Sequence, residues 1–154
     1  MTEIQRFQIE AALQLAVSMH SGQKRFDGSP YFMHLIRVML KVNTFQEKLA
    51  ALLHDILEDT QMTLEMLKTH GSPNPFPSDV IQAVDLLTKK AEDHGDENYF
   101  KYIGRIKRNP IARAVKIADI YDNSSIFEMP ADMIDQKTIK RLRKYAKAME
   151  ILKA

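Results

Sequence analysis

The segment Leu49-Ala50-Ala51-Leu52-Leu53-His54-Asp55-Ile56-Leu57-Glu58-Asp59-Thr60 constrains this chain more tightly than any other. Its first part is an apolar run suited to a buried helix. Its second part sets four ionisable side chains within six residues, still beside apolar neighbours. Carboxylates of like charge at a buried helix end are costly unless a cation offsets them. A divalent metal would be such a cation. The plainer alternative is an exposed acidic helix end.

Helical periodicity continues on both sides of that segment. Thr2 and Gln5 form a capping box, and Phe7, Ala11, Leu15 and Met19 then recur at helical spacing. A second helix from about Tyr31 puts Leu35, Val38, Met39 and Val42 on one face. A second capping box, Thr44 and Glu47, starts a third helix with Leu49, Leu52, Leu53 and Ile56 inward. Thr63 to Lys68 reads as a short helix. Three prolines between Gly71 and Pro77 make that stretch a loop. Ser78 is expected to cap a helix through about Leu87. The polar stretch from Lys89 to Glu97 reads as a mobile loop, with Lys89 to Asn98 a candidate lid, followed by a helix from Tyr99 to Lys107. Asn109-Pro110 ends that helix and starts the next, which carries Val115 to Asn123. The last helix is expected to turn Ile139, Leu142, Ala146, Met149 and Leu152 inward. With no strand, internal repeat or linker, the pattern predicts an all-α chain folding as one domain over residues 1–154.

Composition excludes several classes. The absence of cysteine rules out disulfides and thiolate ligands, so any metal must use His, Asp, Glu or carbonyl oxygen. There is no apolar run of membrane-spanning length and no secretion signal at the first residues, so a cytoplasmic protein is expected. Net charge is +2. The basic groups at Arg105–Arg108 and Lys137–Lys147 read as solvated helix faces rather than a nucleic-acid site. No glycine-rich phosphate loop is present.

Two further segments carry chemistry. His34 follows the glycine- and proline-shaped loop Arg25-Phe26-Asp27-Gly28-Ser29-Pro30, and the planar guanidinium of Arg25 is suited to phosphate. Taken alone, His34 also fits a hydrogen-bonded core histidine. Asp119 lies within the apolar helix Val115-Lys116-Ile117-Ala118-Asp119-Ile120, with Asn123 one turn later on the same face. A buried Asp needs a partner, and either Lys116 or a metal would serve. Together the three segments offer two imidazoles and two carboxylates, a set suited to manganese, iron or zinc. Such a set leaves positions open for water and substrate.

These segments, in this order, resemble the HD-domain superfamily, above all the hydrolase domain of the RelA/SpoT alarmone enzymes and the stand-alone small alarmone hydrolases. The resemblance runs from His20-Ser21-Gly22-Gln23-Lys24-Arg25 through Gly28-Ser29-Pro30-Tyr31 and His34. It continues with Ala50-Ala51-Leu52-Leu53-His54-Asp55 and Glu58-Asp59-Thr60, and closes with Val115-Lys116-Ile117-Ala118-Asp119 and Asn123. It implies a single HD-domain bundle of about eight helices. It also implies one Mn2+, or another divalent transition metal, on His34, His54, Asp55 and Asp119. Glu58 and Asp59 are implied to place or activate water. Arg25, with Lys24 beside it, is implied at the phosphates and Asn123 near the sugar. The implied reaction removes the 3′ pyrophosphate from guanosine tetra- or pentaphosphate. The implied partner is a small-molecule nucleotide, with no nucleic acid or membrane, and a homodimer is allowed. Three positions depart from the long enzymes: Phe26 replaces a basic residue, Leu35 a proline and Ser125 an arginine. The departures keep two other readings open, a phosphatase of another nucleotide (an adenine alarmone, NADPH or a nucleoside monophosphate) and a catalytically silent nucleotide-binding module.

Overall fold

A computed structural model describes residues 1–127 and 129–154. Among these residues the chain is helical throughout, with no strand beyond a single antiparallel bridge between Lys24 and Pro30. The α-helices are α1 (Glu3–Met19), α2 (Phe32–Leu40), α3 (Phe45–Leu53), α4 (Ile56–Asp59), α5 (Leu64–Thr69), α6 (Ser78–Leu87), α7 (Asp96–Lys107), α8 (Pro110–Asn123) and α9 (Gln136–Lys153). None is long and apolar enough to cross a membrane.

Local chemistry explains most boundaries. The Thr2–Gln5 and Thr44–Glu47 capping boxes form at the starts of α1 and α3. Asn109 accepts from the Ala112 amide at the start of α8, where Pro110 occupies the first helical position. At α6 the boundary differs from expectation. Pro77 occupies the capping position, and Ser78 is already helical. The helix expected from Tyr99 begins three residues earlier, at Asp96, because Asp96 and Glu97 suit the positive end of a helix dipole. Within the expected loop, Ala91–Asp93 makes a 3-10 turn closed by Asp93, which accepts from the Lys90 amide.

The single helix expected from Thr44 to Ile56 is in fact two. The chain breaks at His54-Asp55 and resumes as α4. Leu49 to Leu53 and Ile56 are fully buried, and α3 packs against α1, α2, α6 and α8. Burying each leucine there contributes about 1.5–3 kcal/mol. Two positions expected inside lie outside: Phe7 is exposed, with Gln8 and Ala12 buried instead, and Ala146 is exposed, with Ala148 buried instead.

Candidate active site

The site forms where α2, the α3–α4 break and α8 meet. His34, on α2, is fully buried, and its Nδ1 lies 2.7 Å from the Asp122 carboxylate of α8. His54, at the break, donates from Nδ1 to the Ala51 carbonyl at 2.7 Å. A carbonyl only accepts, so Nδ1 of His54 carries the hydrogen and a neutral ring keeps its lone pair on Nε2. The carboxylate opposite Nδ1 of His34 imposes the same tautomer. Both Nε2 atoms are buried, and neither finds a hydrogen-bond partner among the described residues.

Those two nitrogens face carboxylates. Asp119 Oδ1 lies 3.2 Å from His34 Nε2 and 3.7 Å from His54 Nε2. Asp55 Oδ2 lies 3.0 Å from His54 Nε2 and 3.8 Å from His34 Nε2. Lone pairs facing carboxylates need a proton or a cation between them. Ligand atoms of His34, His54 and Asp119 lie within 4.8 Å of one another, so this group could hold a metal ion. The donor set of imidazole and carboxylate fits a divalent transition metal. Burial would push both histidine pKa values down, but the facing carboxylates outweigh it. His34 is raised by Asp119 and Asp122, and His54 well raised by Asp55 and Asp119.

Both expected partners of Asp119 are in place. Its Oδ2 pairs with Lys116 Nζ at 2.9 Å, while Oδ1 faces the histidines and accepts from Asn123 Nδ2 at 2.6 Å. Burial alone would raise the Asp119 pKa, but Lys116 and the two histidines hold it well below the usual carboxylate range. Asp55 is held down to about 2 against its own burial by His54, and it accepts from Tyr31 Oη at 2.6 Å.

Glu58 and Asp59 line the same cavity, of about 180 Å³, with Asp55, Lys116, Asp119 and Asn123. Burial pushes both of their pKa values up, and the Asp55 charge adds to it. Glu58 accepts from the Lys89 backbone amide at 2.6 Å, so the segment expected as a loop is anchored at the cavity. Arg25 donates to Asn123 Oδ1 at 3.2 Å. Its position follows from a tight loop in which Gly28 adopts φ 80°, a left-handed conformation suited to glycine, and donates back to the Arg25 carbonyl. Lys24 is exposed and does not line the cavity.

Three further residues border the site, and the sequence singled out neither Asp122 nor Tyr99 among them as functional. Asp122 receives two hydrogen bonds from Arg37, at 2.8 and 3.0 Å, besides facing His34. Tyr31 bonds to Asp55, and its ring lies between those of His20 and His34. Tyr99, 6% exposed, lines the cavity with a buried hydroxyl that has no hydrogen-bond partner among the described residues. The spacing of Asp122, one turn from Asp119, was the available signal for the first, and adjacency to the loop motif for the second. Tyr99 gave none.

The family model described as HD domain matches residues 31–124, which is more than half the chain and spans all four histidine and aspartate positions described above. The chain belongs to the HD domain family. Relatives of this HD domain include two proteins named guanosine-3′,5′-bis(diphosphate) 3′-pyrophosphohydrolase. The one from Aquifex aeolicus is 35% identical over 75% of this chain and 17% of its own length. The one from Borreliella burgdorferi is 29% identical over 87% of this chain and 21% of its own length. A protein named GTP pyrophosphokinase from Streptomyces coelicolor is 32% identical over 94% of this chain and 16% of its own length. The chain thus spans about a fifth or less of the length of these curated relatives. A solved structure described as a metazoan orthologue of SpoT that hydrolyses ppGpp superposes with TM-score 0.77. It is 23% identical, with 94% of this chain and 85% of that chain covered. That likeness establishes the all-α HD fold.

Proposed function

We propose that this HD domain is a metal-dependent phosphohydrolase that removes the 3′ pyrophosphate from guanosine 3′,5′-bis(diphosphate), leaving GDP. The observation that carries the reading is the pair of buried, unpartnered Nε2 atoms of His34 and His54 directed at Asp55 and Asp119. The names of the two pyrophosphohydrolase relatives supply the substrate. His34, His54, Asp55 and Asp119 would hold the metal, and manganese suits them. A divalent cation there supplies Lewis acidity toward water and the phosphoryl oxygens.

The rest of the chemistry belongs to the chain's own groups. Asp122 and the Ala51 carbonyl fix the two imidazoles in the tautomer that leaves Nε2 free. Glu58 and Asp59, with raised pKa values, take the proton from water as its oxygen bonds to phosphorus. The phosphorus–O3′ bond breaks, and the proton passes to the departing ribose oxygen. Arg25 offsets phosphate charge, and Asn123 lies toward the sugar.

The test is pyrophosphate release from guanosine 3′,5′-bis(diphosphate) by the purified chain with manganese, beside the His54→Ala/Asp55→Ala variant. Release that the double substitution abolishes is the expected result. Release only from other nucleotides would move the assignment to a different phosphatase.

A further inference from the structure

The metal cavity is small. Sites for whole small-molecule ligands commonly run to about 300–1,000 Å³, whereas this cavity has about 180 Å³. It has room for the reacting phosphoryl group, so most of a nucleotide must lie elsewhere. A groove of about 830 Å³ lies beside it, and Lys144 lines both.

That groove has a marked charge. Among the described residues its wall carries six lysines and arginines against two aspartates. Lys140, Lys144 and Lys147 share one face of α9 at helical spacing. Lys144 Nζ sits 4.7 Å from the centre of the Tyr99 ring, and Lys147 Nζ sits 4.6 Å from that of Phe100. Among the described residues none of the three lysines pairs with a carboxylate, although the chain pairs many of its other cations. At the junction, the unpartnered hydroxyl of Tyr99 lines the cavity beneath Lys144. Phe26 and Phe100 give the groove an apolar wall.

We infer that this groove is a second subsite of the same active centre, holding the 5′-phosphates of the nucleotide on Lys140, Lys144 and Lys147 while the 3′ end reacts in the cavity. The inference rests on the nucleotide reading above. Lysine ammonium groups bind phosphate as point charges, and a diphosphate presents enough charge to engage two or three of them. Ribose and base then cross the Tyr99–Lys144 junction. The subsite therefore selects for nucleotides phosphorylated at the 5′ end as well as the 3′ end.

Calorimetric titration of the full chain with GDP and with guanosine tests the subsite without any reaction. We expect GDP to bind at least about tenfold more tightly than guanosine, equivalent to about 1.4 kcal/mol. That preference should fall to within about twofold in Lys140→Glu/Lys147→Glu and in the milder Lys140→Gln/Lys147→Gln. Both lysines are exposed, so thermal melts should show folded variants. Kinetics give the second readout. The kcat/KM preference for guanosine 3′,5′-bis(diphosphate) over guanosine 3′-diphosphate should collapse in the same variants. Equal binding of GDP and guanosine by the unaltered chain, or a preference that survives both variants, overturns the subsite. If GDP is preferred and the preference needs the lysines, but neither 3′-diphosphate is hydrolysed, the subsite stands and the reaction assignment falls.

Discussion

Asp122 ties together more of the site than its place behind His34 suggests. It accepts two hydrogen bonds from Arg37, lies 3.3 Å from Lys41 Nζ and 3.9 Å from Arg25, and faces Nδ1 of His34. Burial would raise its pKa, but His34 and Arg37 hold it well below the usual range, so it stays ionised. Carboxylates behind ligating histidines commonly affect metal affinity about 10–100-fold. Asp122→Ala is therefore expected to weaken manganese binding by about that factor, as measured by calorimetry. Asp122→Asn, whose amide oxygen still accepts from Nδ1, should lose less. Equal losses would show that charge rather than ring orientation matters. His54-Asp55 was legible in the sequence because both residues stand against an apolar run. Asp122 was not, because His34 lies 88 positions away and Arg37 85. Lys116 and Asn123 were legible as neighbours of Asp119, since one helix turn separates them.

Among the elements, α3 is the one whose start and packing were both written locally. Thr44 and Glu47 satisfy the amides at its entry, and Leu49 to Leu53 bury completely. Removing the cap with Thr44→Ala is expected to cost about 1 kcal/mol of stability, read from chemical denaturation. Because α3 ends at His54, fraying its start should leave metal affinity unchanged in the folded protein. The break between α3 and α4 was invisible in the periodicity, since Leu53 and Ile56 also suit one continuous helix. What separates the two is the His54 ring bonding back to the Ala51 carbonyl and Asp55 turning toward Tyr31. The early start of α7 was hidden for another reason. Asp96, Glu97 and Asn98 look like loop residues by polarity, yet they occupy a solvated first turn.

For the whole molecule, the titration of the site couples to folding. In the metal-free protein, His34 and His54 have pKa values raised above 6.5 by carboxylates that the unfolded chain does not hold near them. Their contribution is fully present below about pH 6.5 and is lost as pH rises through the folded values. The aspartates Asp55, Asp119 and Asp122, lowered from 3.8, contribute above that value and lose their effect on acidification through the lower folded values. Melting in chelator should therefore show Tm declining from about pH 6.5 upward. Manganese should reverse the trend, because metal binding needs neutral imidazoles. At a hundredfold excess over Kd it should add about 2.7 kcal/mol. A Tm in chelator that rises over this range would count against the proton-sharing arrangement. The same wide spacing of the site has a consequence for synthesis on the ribosome. The residues of α2 and the α3–α4 break emerge first, while Asp119 and Asp122 wait on α8, after five intervening elements. Until α8 is released, α3 lacks one of its packing partners and the imidazoles lack the carboxylates that orient and balance them. Metal capture is thus a late event in the life of the nascent chain, and a chain stalled before Pro110 exposes apolar surface without gaining the site.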